Sequence, residues 1–145
     1  MSFKTYGDFE ARVRESFARQ PTMETLGVTL SHVGPGEVDL EMGFDARLTQ
    51  QHGFIHAGII TTVLDTAAGL AAYSLMPLDA GVLTIELKTS LMRPAKGDLF
   101  RFEGRVLKPG RTIVFAEAVG FSGDVEIARM SGSMMVVQGR DDVQG

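Results

Sequence analysis

The stretch "QQHGFIHAGIITTVLDTAAGLAAYSLM", residues 50–76, decides the reading of this chain. It is a nearly unbroken apolar run with one carboxylate, Asp65, in the middle and two histidines, His52 and His56, just ahead of it. Its length and its stop at Pro77 predict one long helix over His56–Met76. At about 100° per residue, Gly58, Thr61, Thr62, Ala68, Gly69 and Ala72 share a side with Asp65, while Ile59, Val63, Thr66 and Leu70 lie opposite. The bulky side suits a core. The small, mildly polar side lets another backbone or a ligand come close, and a second copy of the chain is the obvious candidate.

A buried, unpaired carboxylate costs several kcal/mol, so Asp65 needs a partner, a raised pKa or a water-filled cleft. Two readings stay open. Asp65 is either a structural acid bonded to Thr61, Thr62 or a strand hydroxyl, or a working acid–base group. His56 and Ala57 lie where the helix begins, after the flexible Gly53. The first N–H groups of a helix have no internal acceptor and sit at the positive end of its dipole, which makes an oxyanion site. From His56 to Asp65 is nine residues, about 13.5 Å along the axis and half a turn around it. If both serve one carbonyl, they must come from different subunits.

The flanking segments supply the wrapping. Thr5–Gln20 carries Phe9, Val13 and Phe17 on one helical face, with Thr5 and Asp8 as a capping box and Pro21 just past its end. Residues 25–43 break at Gly34-Pro35-Gly36, which suits two short strands. In Val82–Met92, Leu83, Ile85, Leu87 and Leu91 alternate with Thr84, Glu86, Lys88 and Ser90, the pattern of a half-buried strand. Strands are also expected over Leu99–Leu107, Thr112–Phe121 and Val125–Val137. A type II turn is expected at Lys108-Pro109-Gly110-Arg111, and another turn at Gly123-Asp124. Three tight turns in a row imply an antiparallel sheet. The expected fold is α+β: one long central helix wrapped by a curved antiparallel sheet, in a single domain over 1–145, with an N-terminal helix in 1–22 and a polar, frayed tail at 139–145.

The totals exclude several classes. The 145 residues are long enough for a real core. A net charge of −4 argues against nucleic acid. No cysteine is present, so disulfides, thiolate metal sites and a Cys nucleophile drop out, and a reducing cytoplasm is the expected compartment. No signal-like segment opens the chain, and Asp65 interrupts the one run approaching membrane-spanning length, so no membrane partner is expected. His52-x-x-x-His56 has metalloprotease spacing but carries Gly53 where the glutamate belongs, so no metal is expected. There is no G-x-S-x-G elbow around Ser74, no P-loop and no dinucleotide fingerprint. Met130, Met134 and Met135 read as packing residues.

One helix wrapped by an antiparallel sheet resembles the hotdog fold. "QQHGFIHAGIITTVLDTAAG" resembles the motif of its phenylacetate-degradation (PaaI-type) acyl-CoA thioesterases: an Asn or Gln, a Gly, then His-Gly-Gly opening the helix and an acid nine residues after the His. These positions are Gln50, Gly53, His56-Ala57-Gly58 and Asp65. "GVLTIELKTSLMRPAKGD" is similar to the family's strand ending in Pro, and "KPGRT" to its hairpin with a basic residue after Gly. The chain departs from the pattern in having Ala57 in place of the first Gly.

The resemblance implies hydrolysis of an aryl- or medium-chain acyl-CoA. Asp65 would be nucleophile or general base, and the Ala57 N–H of the opposite subunit the oxyanion donor. His56 would hold the helix start, Gln50 would bond the thioester or water, and Thr84 would orient the nucleophile. Gly53, Gly58, Val82 and Leu83 would contact substrate, and Arg93, Lys96, Lys108 and Arg111 would meet the CoA phosphates. Phe54, Tyr73, Leu75 and Met76 are candidates for the acyl pocket. The implied partners are acyl-CoA and further copies of the chain, as homodimer or homotetramer. No cofactor is implied, since coenzyme A is part of the substrate. A hotdog hydratase or dehydratase and a non-catalytic acyl-CoA binding module are the alternatives; the first favours a proline-containing loop, absent between His52 and Asp65.

Overall fold

A computed structural model describes residues 2–145. The order is α1 (Phe9–Ala18), α2 (Pro21–Leu26), β1 (Val28–Gly34), β2 (Glu37–Gly43), a single 3-10 turn (Ala46–Leu48), α3 (Ala57–Tyr73), then β3 (Ala80–Leu91), β4 (Leu99–Lys108), β5 (Ile113–Ser122) and β6 (Val125–Gln138). The six strands form one antiparallel sheet in the order β1-β2-β4-β5-β6-β3. This is the hotdog fold, with α3 lying across the sheet.

Burial explains why α3 forms. Ile60, Val63, Leu64, Ala67, Leu70 and Ala71 are buried against Leu40, Phe100, Phe102, Met130 and Met134, each large side chain contributing about 1.5–3 kcal/mol. The helix comes closest to the sheet at Gly104 of β4, where an added Cβ would run into the Ala67 carbonyl. At its far end the helix stops at Tyr73, three residues short of the expected Met76. There the buried Ser74 hydroxyl donates to the Ala71 carbonyl and accepts the Gly36 N–H at 2.8 Å, tying the helix end to the β1–β2 turn. Arg12, stacked on the Tyr73 ring, donates to the carbonyls of Met76 and Pro77. These contacts satisfy groups that a helix end otherwise leaves unpaired.

Several expectations need correction. The first helix starts at Phe9, with Asp8 as its N-cap accepting the Ala11 N–H, and Thr5 lies outside it. Pro21 opens α2 as its first residue rather than merely ending α1. Gly110 has no positive φ, so the β4–β5 connection is not the type II turn that its Pro-Gly pair suggests. Strands β3 and β4 follow one another in sequence but are not neighbours; β3 crosses to the far edge beside β6. Nor is β3 half-buried: Leu83, Ile85 and Leu87 are 48%, 54% and 39% exposed, because no strand covers its outer edge.

A bulge between Thr84 and Glu86 shifts the alternation of β3. Thr84 therefore faces α3, and so does Leu91, which shares a cavity with Ile60. Lys88 and Ser90 face outward beside Glu117 and Arg129. The 139–145 tail is docked, not frayed: Val143 is half-buried and packs on Gly81. No helix is long and apolar enough to cross a membrane among the described residues.

The Gly104–Ala67 contact predicts that Gly104→Ala loses about 3 kcal/mol, at the upper end of overpacking costs, because the added methyl meets backbone rather than a movable side chain. Urea unfolding of the two proteins measures it; a loss below about 0.5 kcal/mol would mean the helix is free to lift off the sheet.

Candidate active site

The segment before α3 fixes the helix start. Gly53 takes φ 85°, open to glycine at no steric cost. Its N–H closes a turn onto the Gln50 carbonyl, while Ile55 and His56 donate to the carbonyls of Ala95 and Leu48. The Gln50 Oε1 accepts the N–H groups of His52 at 2.7 Å and Phe54 at 3.3 Å, which leaves its amide Nε2 as the available donor. His56 is the N-cap, its Nδ1 accepting the Gly58 N–H at 2.9 Å. Ala57 is the first helical residue and has no positive φ, so its methyl does not disturb the helix start. The Ala57 N–H is unpartnered among the described residues. Beside it opens a cavity of 510 Å³ lined by Gln50, Phe54, His56, Ile60, Leu91 and Arg93, among others.

Asp65 sits in a different cleft, with Thr66, Gly69, Val82 and Thr84. The Thr84 hydroxyl donates to its Oδ1 at 2.8 Å. Thr61 and Thr62, the other expected partners, instead donate to the carbonyls of Ala57 and Gly58. No cation pairs with Asp65 among the described residues. Burial therefore pushes its carboxyl above the ordinary aspartate range, and the Thr84 hydrogen bond offsets only part of that. A half-buried carboxylate with one hydroxyl partner and a free second oxygen is better matched to proton transfer than to holding a fold together.

Asp65 and Ala57 are eight residues apart on one straight helix, so about 12 Å separates them. The two cavities stay distinct within one chain. The expected cations are likewise split. Arg93 lines the cavity at the helix start, its guanidinium donating to the Glu126 carbonyl at 2.7 Å, with Lys96 exposed on the same loop. Arg111 lines another cavity past the helix end with Leu75 and Met76, and Lys108 is exposed at the same turn. Nothing in one chain brings the four together.

The acyl-pocket candidates divide the same way. Phe54 is at the helix start, Leu75 and Met76 are past its end, and Tyr73 is buried under Arg12. Val82 lines the Asp65 cleft, whereas Leu83 points to the other face of β3. Met130 and Met134 are core, but Met135 is 40% exposed on the outer face. Thr66 lies on the open side with Asp65, contrary to its expected place, and donates to Gln20 Oε1. Ser16 of α1 and Gln20, the residue that caps α2, thus join the Asp65 cleft. No local motif announces them, because α1 reaches the cleft only through the tertiary fold.

Comparison with known proteins fits this geometry. The profile of the thioesterase superfamily matches residues 52–138, more than half of the chain. A crystal structure of a thioesterase family protein from Silicibacter pomeroyi is 48% identical, with a TM-score of 0.89 over 90% of this chain and 99% of that one. A Halobacterium salinarum protein named as a candidate esterase is 39% identical over 97 residues, 63% of this chain; the match spans just under two thirds of that relative, 64% of its length. Human acyl-coenzyme A thioesterase 13 is 27% identical over 114 residues, 78% of this chain and 76% of that protein. On the matched span and the Silicibacter likeness together, this chain belongs to the thioesterase superfamily.

Proposed function

We propose that the protein is a PaaI-type acyl-CoA thioesterase that hydrolyses an aryl- or medium-chain acyl-CoA to the carboxylic acid and free CoA. The observation that carries this is Asp65: a carboxylate with a raised pKa, one hydroxyl partner and no cation, in an open cleft. The named activity of the human relative supports the substrate class.

The active site is shared between two copies. Asp65 attacks the thioester carbonyl or takes a proton from the water that does. The Ala57 N–H of the opposite copy holds the developing oxyanion, and Gln50 Nε2 beside it bonds the thioester oxygen. The intermediate collapses by expelling the CoA thiolate, which takes up a proton; where Asp65 itself attacks, water then cleaves the acyl–Asp65 anhydride to release the acid and restore the carboxylate. Pairing Ala57 of one helix with Asp65 of another makes the two helices antiparallel. The end of each helix then runs eight residues, about 12 Å, past the start of the other, which carries Arg111 and Lys108 of one copy toward the end of the site where its partner holds Arg93 and Lys96, so that the four form one phosphate-binding rim. The second copy adds to the bare edge of β3, covering Leu87 and Leu91 with its own helix. Metal and cofactor have no part in this chemistry.

Thiol release from a panel of aryl- and alkyl-acyl-CoAs tests the assignment. Asp65→Asn is expected to lose about 10²-fold or more in kcat. The wild-type rate is expected to fall on acidification at a pH above the usual carboxylate range, since burial raises the Asp65 pKa. No turnover by the wild type on any member of the panel overturns the reading.

The same variant is expected to be more stable than the wild type at neutral pH. The unfolded chain ionises Asp65 near about pH 3.9, whereas the folded chain holds the proton to higher pH. Ionisation above that point therefore favours unfolding, and below it neither state pays. Melting curves are expected to show Asp65→Asn ahead at pH 7, with the gap closing as the pH falls to about 4. A variant less stable at pH 7 would return Asp65 to a structural role.

Ala57→Pro tests the shared site. Proline is tolerated at the first helical position, and the His56 ψ of 137° already suits a residue before proline. The variant keeps the helix but loses the N–H, with an expected drop of about 10²-fold or more. Co-assembly of Ala57→Pro with Asp65→Asn chains leaves one intact site in each mixed pair, so an equal mixture regains about a quarter of wild-type turnover. A mixture no better than its parents means each site lies within one chain.

A further inference from the structure

The Asp65 cleft is closed on its outer side by two pieces distant in sequence. Ser16 of α1 and Gln20 at the start of α2 form one wall, with Gln20 held by the Thr66 hydroxyl at 3.2 Å. Gln144 and Gly145 of the tail form the other. The tail is seated, not draped. Gly139, at φ 70°, turns the chain back after β6, and its N–H donates to the Asp79 carbonyl. Gln138 Nε2 bonds Asp79 Oδ1 at 3.0 Å. Val143 then lies over Gly81, where an added Cβ would come within 2.7 Å of the Val143 carbonyl oxygen and 2.9 Å of its Cγ1. That glycine is the seat on which the tail rests. The floor of the cleft is Gly69, beside which a Cβ would meet open space.

We infer that residues 143–145, held on Gly81 and facing α1 across the cleft, are the wall that sets the length of acyl group accepted. The inference rests on Asp65 being the catalytic acid of a thioesterase, and it names the substrate range of that site. The cleft measures 190 Å³, the liquid volume of about six waters, so the space beyond the carbonyl holds an acyl group of about six heavy atoms. Single-ring groups and the lower end of the medium-chain range, to about six carbons, fit, and longer chains meet Gln144.

The test uses non-hydrolysable S-alkyl-CoA thioethers, butyl to dodecyl, bound to full-length protein and measured by calorimetry. Binding by the wild type is expected to tighten up to about hexyl and then weaken by about tenfold or more. Gly81→Ala pushes the tail off its seat and is expected to move that break to longer chains by about two methylenes. Gly69→Val fills the floor and is expected to move it to shorter chains by a similar amount. Opposite shifts support the wall, and where Gly81→Ala does not fold, Gln144→Ala, which trims the wall without touching its seat, is expected to give the same shift to longer chains. A break unchanged in Gly81→Ala, or in Gln144→Ala where the first does not fold, or no thioether bound by the wild type, overturns it. Because thioethers need no turnover, a wild type that shows the break, with the shifts in its variants, yet releases no thiol from acyl-CoAs overturns the catalytic reading while leaving the wall in place.

Discussion

The close approach of α3 to β4 at Gly104 is the contact on which the site depends. A helix normally stands off a sheet by the length of its side chains. Here a missing side chain on the sheet and alanine on the helix let backbone meet backbone. The helix is thereby fixed in height and rotation, with Ala67 and Ala71 turned down into the core. Asp65, two residues before Ala67, is then held on the upper flank, neither sunk in the core nor free in water. Its raised pKa is a consequence of that height: enough burial to favour the proton, and too little to forbid the charge.

The bulge in β3 completes the arrangement. Thr84 falls in the polar phase of a strand whose apolar residues belong on the other face. One extra residue at the bulge puts both Thr84 and the later apolar residues of β3 on the helix side. The hydroxyl that orients Asp65 is thus available because the strand breaks its own period, as bulges beside functional sites commonly do.

Much of this was legible in the sequence. The run from His56 to Met76 could only be a buried helix, the later strands alternate, and the His-Ala-Gly opening and Asp65 stand at the spacing of a known motif. Spacing along a helix also shows that Ala57 and Asp65 cannot meet within one chain. The rest was hidden for physical reasons. Alternation says that a segment is a strand but not which strand it pairs with, so the place of β3 beside β6 could not be read. A polar tail reads as frayed unless its seat is known, and the seat is one unremarked glycine at the start of β3. Thr66 falls on the wrong side of a helical wheel because the wheel places residues by angle alone, while the Ser16–Gln20 segment decides which angles are covered.

The bare edge of β3 also bears on the chain as it folds. A twelve-residue strand with one free edge and exposed leucine and isoleucine is a template for indiscriminate pairing as the chain folds. Glu86 and Lys88 sit in the middle of that edge, on either side of Leu87. A stray strand arriving out of register or in parallel meets a charge without its opposite. A second copy arriving antiparallel and centred on Leu87 brings each glutamate against a lysine. On the proposed pairing of two copies at this edge, the two charges act as gatekeepers that favour that one register over others.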